Sequence, residues 1–386
     1  MTSTSQLLSS RAWRLALGGT LVLGLSACSM KDQEKSGVRQ VAEKTQSDLE
    51  MKVIQSITEH VVVATYAHLR DETKELTRLA EVLVANPTYE NLKAVQTKWK
   101  EARVPWESTE GFLFGPVDSL GVDPAIDSWP LSKVDLDLIL KERPNITADF
   151  VRGLGTDVQG FHTAEYLIFG DGEVTNTKPV SEMTAAQLSY LIAVTSVLAE
   201  QTEKLYQSWT VRHDPSVASS RPYSFYVLNP SLDNDFYPSR KAVLQEFVQG
   251  LIKIAVEVGK GKISDPLGGD LSSADPSLVE SQFSWNSLID FQNNMMSIRN
   301  VYLGGYRTKG VGLSDLVALK NPALDQKIKT QIDQAEKAIG EISGPQNMSF
   351  TQAIKTAEGR QRSLAAIDKI AELEATLTNE LLPLFQ

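Results

Sequence analysis

The sequence has one cysteine, Cys28, in 386 residues. It can form no intrachain disulfide and no cysteine-based zinc site. It lacks a basic surplus: 38 Lys and Arg stand against 48 Asp and Glu, for a formal net charge of -10. That balance argues against a nucleic-acid binder, which needs a basic footprint. No alternating strand pattern, Gly-rich phosphate loop, GxSxG or short repeat is present. HExxH is also missing, because Tyr166 follows Glu165, so this segment alone cannot make a zincin-type site. No long apolar run occurs either. The stretch from Leu15 to Leu25 is too short for a bilayer span, which needs ~20 residues.

That short stretch has its own meaning. Arg11 and Arg14 precede it, and Leu25-Ser26-Ala27-Cys28 follows it. A positive start, a short apolar core and small residues before a cut site make a secretory leader. Leu-Ser-Ala-Cys resembles a bacterial lipobox, so residues 1–27 are expected to be removed and Cys28 to carry lipid. Ser29, not Asp, comes next, which points to the outer membrane in a Gram-negative envelope, facing the periplasm or the cell surface. Residues 28–47 are polar and charged and read as a tether.

The rest reads as all-α. Val53, Ile54, Ile57, Val61, Tyr66 and Leu69 recur at three- and four-residue steps, which predicts a helix from about Leu49 to Val84. Asn86-Pro87 breaks it, and a second helix is expected from Tyr89 to Trp106. Short helices are expected over 131–140 and 147–153, and longer ones over 184–209, 239–260, 277–303, 321–342 and 349–381. The turn-rich Asp171 to Pro179 suggests a boundary between two helical bundles, 48–178 and 179–386. The segment from Arg212 to Pro238 reads as a lid or a crossover.

The chemistry centres on Gly160-Phe-His162-Thr-Ala-Glu165-Tyr-Leu-Ile-Phe-Gly170. On a helix, His162 and Glu165 share a face. A carboxylate in so apolar a run needs a cation, a donor or a proton. A metal ion would satisfy both groups; a hydrogen bond between the two is the plainer alternative. Glu107 and Glu110 form a second such pair beside Trp106 and an apolar Phe-Leu-Phe. Two carboxylates on one face repel unless a cation or proton intervenes, although a solvated helix face would read the same way. Asp123 and Asp127 lie in the following loop. Glu280, Ser281, Ser284, Asn286 and Asp290 make a late polar set, facing either a pocket or a neighbouring helix. An ion held by these residues would have one nitrogen and several oxygens, a set compatible with iron, zinc, manganese or calcium. His60 and His68 read as solvated or packing histidines.

Three blocks together resemble the imelysin family, which includes metallopeptidases and iron-regulated lipoproteins. They are Gly160-Phe-His162-Thr-Ala-Glu165, a match to GxHxxE; Arg103-Val-Pro-Trp106-Glu107-Ser-Thr-Glu110 with Asp123-Pro-Ala-Ile-Asp127-Ser-Trp-Pro; and the late segment from Glu280 to Gly305. The resemblance implies two helical bundles with a polar cleft between or near them. It implies a metal set of Glu107, Glu110, Asp127, His162 and Glu165, with Arg103, Trp106, Glu280 and Ser281 lining the cleft. Asp127 is preferred over Asp123 on the same ground. The implied function is binding of a metal ion, iron foremost with zinc or calcium as alternatives, or of a metal-loaded ligand. Iron uptake or homeostasis would be the setting, with uptake components as partners and the membrane reached through Cys28. A metal-dependent peptidase is the alternative. A lipid-anchored scaffold with an unused site is the third.

Overall fold

The expected helical periods appear as buried stripes in a computed structural model that describes residues 46–386. Glu50–Gln386 form one unit. The leader, Cys28 and the tether up to residue 45 lie outside the described residues. Helix α1, Ala64–Ala85, buries Tyr66, Leu69, Thr73, Leu76, Ala80 and Leu83. Helix α2, Tyr89–Glu107, buries Leu92, Val95, Trp99, Ala102 and Trp106. Both stripes step by three and four, which keeps one face toward a partner helix. Thr88 caps α2 by accepting from the Asn91 N–H, and Asn86-Pro87 supplies the break.

Three further helices complete the first group: α3, Asp123–Asp127, α4, Gly160–Phe169, and α5, Ala185–Thr210. A capping box of Thr184 and Gln187 starts α5. Helix α1 packs on both α2 and α5, and α4 packs on α2, α3 and α5. So α5, although it follows the turn-rich 171–179 break, lies against helices that precede it.

The second group is α6, Arg240–Val256, α7, Ser287–Leu303, α8, Pro322–Glu341, and α9, Ala357–Thr376. Helix α7 packs on α6 and α8, and also on α2. The α2–α7 contact joins the two groups and carries the site. No strand occurs among the described residues, and none of their helices is long and apolar enough to cross a membrane.

Four of the expected helices change: the one over 49–84 runs as a π-helix across Ile57–Val63, the one over 349–381 breaks between Ala353 and Ala357, and two more change near the site. The helix expected from Ser277 starts instead at Ser287, and residues 280–286 are irregular. Ser281 and Trp285 adopt φ of 53° and 60°, a left-handed conformation that costs a residue with a side chain and ends any helix there. The helix expected over 239–260 leaves α geometry at Glu257 and continues to Ser264 as a π-helix. The 212–238 segment is an ordered crossover from α5 to α6. It contains a short helix, Tyr223–Leu228, and Tyr223 packs edge-on against Trp209 with centroids 4.9 Å apart.

Candidate metal centre

Helix α2 delivers the first acidic pair. Its last turn contains Pro105, and the helix ends at Glu107. Glu110 then opens a 3-10 turn, Glu110–Phe112. The two carboxylates are not on one continuous helix, yet they still converge. Ligand atoms of Glu107, Glu110 and Asp127 lie within 4.8 Å of one another.

Gly160 explains how His162 reaches Asp127. Its φ is +70°, and a Cβ there would stand 2.2 Å from the Ile126 carbonyl oxygen. Only glycine permits both the left-handed backbone and that approach. Helix α4 therefore starts directly on α3, one residue from Asp127. The Trp99 indole N–H donates to the Phe161 carbonyl at 2.9 Å and ties α4 to α2.

His162 is buried. Its Nδ1 pairs with Glu165 Oε2 at 2.9 Å. The other Glu165 oxygen accepts from the Ser284 N–H and hydroxyl, both at 2.7 Å. Glu165 is thus fully engaged behind the ring, and a carboxylate there fixes the Nδ1–H tautomer. The opposite nitrogen, Nε2, lies 3.2 Å from Asp127 Oδ1 and 3.8 Å from Glu280 Oε1. It is buried without a directed hydrogen bond. Asp127, His162 and Glu280 form a second convergent triad, again with ligand atoms within 4.8 Å. Trp129 stands edge-on over the imidazole, with ring centroids 4.7 Å apart.

Arg103 is fully buried in the middle of these carboxylates. Its guanidinium donates to Asp127, to Glu107 and, at 3.0 Å, to Glu280. The Trp106 indole N–H donates to the other Asp127 oxygen at 2.5 Å. Lys262 Nζ lies 2.7 Å from Glu280 Oε2 and 3.6 Å from Glu107 Oε2. Ser281 donates to Asp290 Oδ2 at 2.5 Å, and Asn294 donates to Glu107 Oε2 at 2.6 Å.

Carboxylates outnumber cations here. Glu107, Glu110, Asp127, Glu165, Glu280 and Asp290 share Arg103, Lys262 and one imidazole. The consequence splits them. Burial pushes Asp127 up, but Arg103 and His162 outweigh it and hold the carboxyl at about 2. Burial likewise opposes ionisation of Glu280, and Lys262, His162 and Arg103 overcome it, leaving Glu280 well below the usual range. For Glu107 burial prevails over Arg103 and Lys262, to about 8. Burial prevails further for Glu110, which only Lys262 opposes, and lifts Asp290 to about 6. Burial lowers His162, yet the neighbouring carboxylates, Asp127 first and then Glu165 and Glu280, raise it well above 6.5. Burial therefore favours the protonated forms of Glu107 and Glu110, and the surrounding carboxylates favour the protonated His162 ring.

One imidazole nitrogen and two carboxylate oxygens converge here, a set that suits a cation, and such an ion would share Asp127 Oδ1 and Glu280 Oε1 with the Arg103 guanidinium that donates to both. Asp127, His162 and Glu280 would hold it, and Glu165 would orient the ring.

The family model described as Imelysin (Peptidase_M75) matches residues 62–377. This chain belongs to the imelysin family. It is similar to Iron-regulated protein A of Synechococcus elongatus, 30% identical over 347 residues that make up 89% of each chain. It is also similar to a crystal structure from Parabacteroides distasonis described as a putative iron-regulated protein A precursor. The TM-score is 0.75 at 26% identity, over 86% of this chain and 94% of that one. An imelysin-like protein from Psychrobacter arcticum shares the fold, with a TM-score of 0.68 at 14% identity, over 87% of this chain and 95% of that one.

All nine site and cleft residues read from the imelysin-like blocks meet in one place. Asp127 lies inside the cluster, whereas Asp123 lines the wall of the adjoining cavity. Glu280, read from sequence as cleft lining, brings a ligand atom to the second triad. Sequence reasoning missed Lys262, which stands in Gly-Lys-Gly-Lys and looks like a solvated charge. Asp290 belongs to the late polar set that the sequence left open between a pocket and a neighbouring helix. His68 lies elsewhere, hydrogen-bonded to Tyr306 and Glu72, and His213 packs between Tyr226 and Phe236.

Proposed function

We propose that this imelysin is an envelope lipoprotein, anchored through Cys28 in the outer membrane, that binds a metal ion for iron uptake or homeostasis. Asp127, His162 and Glu280 hold the ion. The observation that carries this reading is the convergence of buried His162 Nε2 on Asp127 Oδ1 and Glu280 Oε1, at 3.2 and 3.8 Å, beside the Arg103 guanidinium that donates to the same oxygens. The name of the Synechococcus relative favours iron. A cavity of about 310 Å³ lined by Glu110, Asp123, Asp127, Trp129, Glu257 and Glu280 adjoins the triad and has room for a hydrated ion or a small chelate.

The test is metal titration of the full chain in detergent. One iron per chain is expected, with affinity reduced at least ~100-fold in His162→Ala and Glu280→Gln. Glu165→Gln, which only orients the ring, should cost roughly 10–100-fold. Affinity should fall as pH drops below 7, because imidazole and carboxylates bind metal deprotonated. A pH-independent affinity would rule out this ligand set.

Metal-free stability should follow a different course. Glu107 at about 8 and Asp290 at about 6 are raised above their unfolded values, as is His162. Their stabilisation is present at low pH and is lost as pH rises through the folded values. Asp127 is depressed to about 2, so its contribution is present above ~4 and lost as pH falls toward that value. The metal-free melting temperature is expected to decline from pH 5 to pH 8. Added metal should raise it more at pH 8 than at pH 5. A rise in metal-free melting temperature across that range would contradict the raised values of Glu107, Asp290 and His162.

A metal-dependent peptidase is the second reading, and Glu110 favours it. Glu110 lines the cavity and, strongly raised by burial, is able to hold and pass a proton. Chelator-sensitive peptide cleavage that Glu110→Gln abolishes at unchanged metal content would establish catalysis.

A further inference from the structure

A second cavity borders the irregular 280–286 segment and shares no lining residue with the first. It holds about 350 Å³, within the ~300–1,000 Å³ typical of small-molecule sites. The start of α7, the end of α8 and the 171–179 segment meet there, and Asn176, Gln292, Ser343 and Asn347 supply its polar wall. No charged side chain lines it, in a chain of which 22% is charged. The cavity at the metal centre is the opposite, with Asp, Glu and Lys side chains on its walls.

Trp285 is the aromatic surface of this second cavity. Its φ of 60° is one that a bulky residue rarely adopts. Two anchors hold it there. The preceding Ser284 is fixed on Glu165 through its N–H and hydroxyl, and the indole N–H donates to the Gly172 carbonyl at 2.8 Å. With that N–H engaged, the ring offers the cavity carbon surface, beside Leu288. The amides are only half engaged. Asn176 gives its nitrogen to the Ser284 carbonyl at 2.9 Å, and Gln292 gives its own to the Glu336 carbonyl at 3.4 Å. Among the described residues no donor reaches either amide oxygen.

Such a wall selects by chemistry. An ionised ligand would find no counter-charge on it. A purely apolar ligand would cover the amides without pairing them. A ring with hydroxyl edges and C–H faces suits both halves: its hydroxyls donate to and accept from the amides, and its C–H face packs on the indole. We infer that this cavity binds a neutral saccharide of one or two rings, independently of the metal centre.

The probes are maltose and N,N′-diacetylchitobiose, titrated calorimetrically into the metal-free full chain in a detergent without a sugar headgroup. At least one should bind, one molecule per chain, with a Kd of about 1 mM. Gln292→Ala should weaken that binding at least ~5-fold. Asn347→Gly should do the same; it removes only the amide, because glycine keeps the left-handed φ of 51° that Asn347 adopts. Chitobiose, which carries ammonium groups in place of the acetamides, should bind at least ~10-fold more weakly than the tighter neutral probe. No binding of either neutral disaccharide up to ~20 mM would overturn the inference. So would binding that both folded variants leave unchanged, or chitobiose binding as tightly as the neutral probe.

Discussion

Replacing Arg103 with methionine is expected to cost the metal-free chain about 5 kcal/mol of folding stability at pH 7, the upper end of what breaking a buried ion pair removes. Arg103 stands at that end because its guanidinium serves Asp127, Glu107 and Glu280 at once. Methionine fills similar volume but leaves ionised groups buried without a counter-charge. A domain with ~5–15 kcal/mol in total would lose a large share of it, and urea unfolding would register the change directly. Arg103→Lys is not a conservative rescue, since an ammonium has no planar fork with which to reach three carboxylates. Acid should restore much of the loss in Arg103→Met, because the abandoned carboxylates then take up protons. An Arg103→Met chain within ~1 kcal/mol of wild type at pH 7 would mean that protons, not the guanidinium, already neutralise the cluster.

Gly160→Ala is expected to be the most damaging loss of a few atoms' clearance. The left-handed backbone costs an L-residue about 1–2 kcal/mol, and the collision with the Ile126 carbonyl adds a further ~1–3 kcal/mol as the chain shifts. The shift separates α4 from α3, and with them His162 from Asp127. Metal affinity should fall about 100-fold, the equivalent of ~3 kcal/mol. Gly121 supplies the control. It too has positive φ, +58°, but a Cβ there meets nothing within 4 Å. Gly121→Ala should therefore show the backbone cost alone and bind metal normally. Equal metal loss in both variants would show that the close approach of α3 and α4 does not position the ligands.

Much of this architecture is legible in sequence, for a physical reason. The α1 and α2 stripes repeat every three and four residues because one face of each is buried along its whole length. His162 with Glu165, and Glu107 with Glu110, stand out because carboxylates in apolar runs demand partners. The partners themselves are less legible. Lys262 gives no signal, since its neighbours are glycine and lysine and its burial depends on helix geometry that no local pattern announces. The break before Ser287 is hidden for a similar reason. Ser281 and Trp285 are not residues that ordinarily take positive φ, and they do so here because Ser281 and Ser284 are drawn onto Asp290 and Glu165. Long-range carboxylates shape that backbone, so a reading confined to neighbours in sequence extends the helix through it.

The π-helical stretch Glu257–Ser264 also makes the cluster sensitive to counting residues, apart from their chemistry. A π-turn holds about one residue more than an α-turn. Removing one glycine from Gly259-Lys-Gly-Lys262 would let the backbone close into an ordinary α-turn and move Lys262 within that turn, while the segment beyond keeps its phase. Lys262 would swing off the carboxylates with no charged residue altered. Chain length at this one point sets whether Lys262 reaches the centre, and a relative with a single-residue gap here would leave Glu280 with Arg103 as its remaining cationic side chain besides the imidazole.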